Sequence, residues 1–127
     1  MDVAEDLLRR LALNDERVLG MVLTHEVGGE GASALESKVE LLVRLAALLA
    51  VGAPTTSLRE AVSRAESAGA STDELVGVLV ALGPTIGLAG LVASASRLAV
   101  AIGYDLENGH GRFHDPQPGN ADPSIHE

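Results

Sequence analysis

Between Val39 and Val51 only Glu40 and Arg44 are polar. A run this apolar, free of Gly and Pro, predicts a helix. Glu40 and Arg44 stand four residues apart in the favourable acid-before-base order, so they mark one narrow stripe that is wet or paired. Every other face of that helix has to be covered. At 127 residues the chain is one domain, large enough for a core but with little room for a second. Neighbouring helices supply part of the cover, and a second subunit is the most economical source of the remainder. The helix ends at Gly52-Ala53-Pro54, because Pro54 disfavours the α conformation at Ala53 and Gly52 can turn left-handed.

The remaining composition agrees with an all-α domain. Ala, Gly, Val and Leu dominate, with one Tyr, one Phe and no Trp. A core of such small side chains requires close helix–helix approach. No sustained period-2 alternation suggests strands. Net charge is −9, and the basic residues form no stripe. Nucleic-acid binding is therefore not expected, since phosphate neutralisation needs clustered cations. The absence of Cys excludes disulfides, thiol catalysis and thiolate metal sites. An acidic start, Met1 to Asp6, lacks the basic region of a secretory signal, and a cytoplasmic location is the expectation.

From Leu75 to Ser96 there is no charged residue, and an uninterrupted apolar run of about 20 residues can span a bilayer. Gly83-Pro84 interrupts this one and reads as a turn between two shorter helices, so no membrane crossing is expected.

Taken in order, the chain predicts helices over about 3–12, 15–24, 34 or 37 to 51, 57–68, 72–82 and 85–102, a bundle of about six. Capping-box spacing recurs at Asp2–Glu5, Ser33–Glu36, Ser57–Glu60 and Ser71–Glu74, and Asn14 can cap the second helix. Gly69 suits the position after a helix end. Val27 to Ala32, holding three Gly, reads as a loop that no helix would survive. The helical domain covers 1–104. Beyond it, 105–127 holds three of the five Pro and three of the four His, and reads as a polar tail.

The run from Ser37 to Tyr104 resembles the carboxymuconolactone decarboxylase-like family, which includes alkyl hydroperoxidase D. Residues 37–48 look like its Lys-led apolar helix, which ends at Gly52-Ala53-Pro54. The run Ala61 to Leu75, with Gly69-Ala70-Ser71 before Glu74-Leu75, is similar to its helix–turn–helix signature, and an Ala-rich helix closes at Gly103-Tyr104. This resemblance implies an alkyl hydroperoxidase D-like all-α fold of about six helices that assembles as homo-oligomeric trimers or hexamers. In the redox branch a CxxC motif opens the polar helix, with a His one turn later. The matching thiol positions here are Ala53 and Thr56, or Pro54 and Ser57, and the His position is Glu60 or Ala61. No thiol and no imidazole stands there, so peroxide reduction is not expected; an unactivated hydroxyl cannot replace a thiolate.

The other branch acts on small carboxylated lactones, chemistry that needs an anion-binding group and a proton donor. The candidates are Glu40 and Glu60 as proton carriers, with Arg44, Arg59, Ser57 and His25 binding a small acidic ligand at the junction of helices 38–51 and 57–68. Each has a plainer alternative. Ser57 and Glu60 fit a capping box, Glu40 and Arg44 an ordinary helix pair, and Arg59 and Arg64 a solvated face. His25 fits an exposed helix end. No cofactor is implied, and His110, His114 and Asp115 in the tail have only loose metal-ligand spacing. A catalytically inactive homo-oligomeric scaffold or binding module is the alternative to an enzyme.

Overall fold

Leu45, Leu49, Leu58, Val62 and Leu75 are the largest fully buried side chains, and they come from three different helices. The computed structural model describes residues 2–24 and 34–104. Among them are five helices and no strand: α1 (Val3–Ala12), α2 (Glu16–Leu23), α3 (Ser37–Val51), α4 (Thr55–Ser67) and α5 (Thr72–Ile102). The all-α expectation holds. His25 and the tail beyond Tyr104 lie outside the described residues, as does Ser33, the expected cap of α3.

The core is drawn from α3, α4 and α5, each packed against the other two. Leu41, Leu45 and Leu49 form an i,i+4 row on α3, met by Leu58, Ala61, Val62 and Ala65 of α4. Small residues at Ala61 and Ala65 let the helix axes approach closely, as an interior without aromatic rings requires. Helices α1 and α2 pack on each other and, among the described residues, on no other helix. Within that pair only Val18 is buried.

A straight helix of 31 residues would hold its ends about 45 Å apart. In α5 the two ends meet instead: Thr72, Val76 and Leu79 line one shallow groove together with Ala95, Leu98, Ala99 and Ile102. The helix folds back at Gly87, whose φ of 77° and ψ of 175° are not helical. Its arms, 72–86 and 88–102, run side by side, and Leu75, Leu79, Leu98, Ala101 and Ile102 all enter the core. The reversal therefore lies at Gly87 and not at Gly83-Pro84. Pro84 sits within the first arm. It costs that arm a backbone donor, whereas Gly87 takes up a conformation that a Cβ would oppose.

The capping boxes divide. Asp2 accepts from the Glu5 amide at 2.8 Å, and Ser71 with Glu74 forms the full reciprocal box. Gly69, at φ 98°, follows the end of α4 as expected. Two assignments are corrected. Asp15 caps α2 through its side chain, and Asn14 turns left-handed at φ 62° to redirect the chain. Helix α4 begins at Thr55 behind Pro54 and not at Ser57. Pro54 presets the first turn, its carbonyl accepting from Ser57 and Leu58, and Ser57 becomes an interior helical residue.

Candidate functional site

Because α4 starts two residues early, Ser57 and Glu60 form no cap and fall on one helical face with Ala61 and Arg64. Those positions, i, i+3, i+4 and i+7, make a single stripe. Opposite stand Leu41, Arg44 and Leu48 of α3, and the two stripes wall an open cleft of about 340 Å³. Leu41, Leu48 and Ala61 give it an apolar floor, while Arg44, Ser57, Glu60 and Arg64 give it polar walls. This volume is at the low end of small-molecule sites, which combine an apolar lining with a few converging polar groups.

Each wall carries an ion pair of its own helix. On α4, Arg64 Nη2 lies 3.1 Å from Glu60 Oε1, with both side chains more than half exposed. Such a pair is worth about 0.3–0.5 kcal/mol and exchanges readily with solvent or a ligand. On α3 the arrangement differs. Glu40 is buried, its side chain 11% exposed, and Arg44 Nη2 approaches its Oε1 only to 3.6 Å. That oxygen accepts no hydrogen bond among the described residues. Arg44 is half exposed and lines the cleft. The attraction between them is therefore electrostatic without a hydrogen bond.

The structure thus brings Arg44, Ser57 and Glu60 together, with Glu40 behind Arg44. Arg59 is exposed and is not part of the cleft wall. His25 lies outside the described residues. Arg64 was legible only as part of a charged face; the Ser57–Glu60–Arg64 spacing was the signal that sets it apart from Arg59. Among the described residues no three His, Cys, Asp or Glu side chains gather as a metal site.

Elsewhere, Lys38 Nζ reaches Glu74 Oε2 at 3.0 Å and ties the start of α3 to the start of α5. The Ser71 backbone amide, donating to Glu74, and then the Lys38 ammonium hold this carboxyl below its ordinary value of 4.5. This is an element of the frame, away from the cleft lining. Compared with known proteins, the chain matches no family model, no curated protein and no solved structure.

Proposed function

We propose that the α3–α4 cleft binds a small organic acid, and that the chain is a cytoplasmic carboxymuconolactone decarboxylase-like protein without thiol chemistry. A carboxylated lactone or its open-chain acid is the substrate class that the sequence resemblance implies. The observation that carries the reading is Arg44: it lines the cleft, while the one carboxylate paired with it among the described residues is buried and beyond hydrogen-bond length. In this reading Arg44 clamps the carboxylate, Arg64 adds a second positive charge and the Ser57 hydroxyl donates to a ring or carbonyl oxygen. Glu60 carries a proton to or from the bound acid, and Glu40 tunes Arg44 from behind. A charge-assisted hydrogen bond of this kind contributes about 1.5–3 kcal/mol.

Titration of the full chain with a carboxylated γ-lactone, followed by nitrogen–proton NMR, tests the reading. Shifts should concentrate on 41–48 and 57–64, and Arg44→Ala should weaken binding at least tenfold. Shifts scattered over the surface, or an Arg44→Ala protein that binds equally well, would sink it. A second reading, a binding module or scaffold without turnover, is favoured by the openness of the cleft and by the exposure of both Glu60 and Arg64. Ligand binding with no product after prolonged incubation would select it.

A further inference from the structure

We propose that the closed end of the α5 hairpin dips into one leaflet of a zwitterionic phospholipid membrane, as a wedge that enters without crossing. Leu79 and Ser94 are the last buried residues of the two arms before the bend. Between them, over 80–93, no residue is buried, and only Leu82 and Leu91 pack against the edge of the core. Val80 is 68% exposed, Leu88 79% and Val92 58%. The wedge is filled within. A Cβ on Gly83 would meet the Leu91 side chain at 3.5 Å, and one on Gly90 the Ile86 side chain at 3.2 Å. The arms thus approach through glycine, as apolar helices in lipid do, and leave no space between them for Val80 or Leu88.

Three features select a lipid leaflet over a protein partner. The first is polarity. Thr85 is the single polar side chain in 80–93, whereas protein interfaces carry a polar rim and about one hydrogen bond per 100–200 Å². Hydrocarbon requires neither. The second is size. An apolar stretch of about 10–14 residues is too short to span a bilayer and is either a core segment or an interfacial one. The exposure of 80–93 excludes the core. From Val80 to Gly87 the first arm rises about 10 Å. Interfacial helices sit about 5–10 Å deep, where headgroup water still reaches the peptide groups of a bend. The third is charge. No ionisable residue occurs from Leu75 to Ser96, and the whole chain carries −9. An anionic surface repels such a protein, and a zwitterionic one does not. The ionisable residues next along the arms, Glu74 and Arg97, stand at the base of the hairpin and stay in water when the tip enters.

Flotation of the full chain with phosphatidylcholine vesicles tests the wedge. The wild type should rise with the vesicles equally in low and high salt. Val80→Glu/Leu88→Glu should lower its partition coefficient at least about tenfold with helicity unchanged, since burying either apolar side chain is worth that much. The milder Val80→Ser/Leu88→Ser pair should lower it by a smaller factor, which guards against misfolding of the Glu variant. The chain has no Trp, so Leu88→Trp supplies a single indole. Its emission should move to the blue on adding vesicles and be quenched by brominated lipid. Val43→Trp, at an exposed position of α3, should report no change. Wild type that stays below the vesicles overturns the proposal, as does equal flotation of the double Glu variant or an equal response from Val43→Trp. Binding confined to phosphatidylglycerol vesicles and lost in salt would make the contact electrostatic and likewise overturn it. A soluble assembly that ignores vesicles and is dissociated by the double Glu variant would make the tip a protein interface instead.

Discussion

The hydroxyl of Ser94 donates to the carbonyl of Leu49 at 3.1 Å, in a buried site bridging two helices distant in sequence. Leu49 belongs to the last turn of α3, and its carbonyl also accepts from the capping Gly52 amide at 3.3 Å. Three residues after Ser94, the Arg97 guanidinium lies against Gly52, with Nη1 3.4 Å from where a Cβ would stand. The second arm of α5 therefore brings a hydroxyl and a cation to the negative end of α3, where both are favourable.

Ser94→Ala should cost about 0.5–1.5 kcal/mol, because it removes one of the two donors to a buried carbonyl and leaves the Gly52 amide in place. In a chain of 127 residues each kcal/mol lowers the melting temperature by about 4 °C. Urea unfolding should show a lower midpoint with an unchanged slope.

Gly77 and Gly87 have the same open surroundings, with nothing within 4 Å of a Cβ placed on either. Only their backbones differ. Gly77→Ala, inside a regular arm, should stabilise by about 0.5–1 kcal/mol, and Gly87→Ala should destabilise by about 1–3 kcal/mol. Paired thermal melts giving the same sign for both would refute the hinge.

The Ser71 amide and, after it, the Lys38 ammonium at Glu74 set a pH dependence. A carboxyl whose folded value is depressed contributes stability that is fully present above its ordinary value of 4.5. That contribution is lost as pH falls through the folded value. Glu74→Gln should therefore be less stable than wild type near neutrality, and the two urea midpoints should converge in acid. The Lys38–Glu74 pair is partly exposed, so added salt should narrow the gap.

Leu45→Ala, at a fully buried position of α3, should cost about 2–5 kcal/mol. Leu8→Ala, on a helix that touches only α2 among the described residues, should leave the main unfolding transition within about 0.5 kcal/mol. Calorimetry in which Leu8→Ala shifted that transition as much as Leu45→Ala would contradict the separation.

Glu40→Gln distinguishes binding from conversion. It keeps the side-chain shape while removing the charge that attracts Arg44 from behind. Affinity for a small carboxylate should rise several-fold, because Arg44 loses its competing anion. If Glu40 also carries a proton, any turnover should fall in the same variant. Weaker binding by calorimetric titration would contradict the role given to Arg44.

Helices α1 and α3, the Gly52 turn and the Ser71–Glu74 cap were readable because each rests on a local signal: apolar period, left-handed glycine or reciprocal hydrogen bonds. Three misreadings also have local causes. Asn14 and Asp15 are both good caps, and only the tertiary turn decides between them. Ser57–Glu60 imitates a box, but Pro54 nucleates the helix first. Gly83-Pro84 looked the stronger break, yet a proline in a helix removes one hydrogen bond, whereas the φ of Gly87 reverses the chain. The candidate site was legible as residue types on two helices. Its true membership, with Arg64 in and Arg59 out of the cleft wall, follows from the i, i+3, i+7 spacing of Ser57, Glu60 and Arg64 on the face of α4 turned to α3.

A hairpin closed by one residue has no slack. Adding or deleting a residue beside Gly87 would turn the following arm by about 100° about its own axis. Ser94 would swing from Leu49, Arg97 from Gly52, and Leu98 out of the core, all in one step. Loops elsewhere can absorb changes of length; at Gly87 the number of residues is itself a structural constant of the protein.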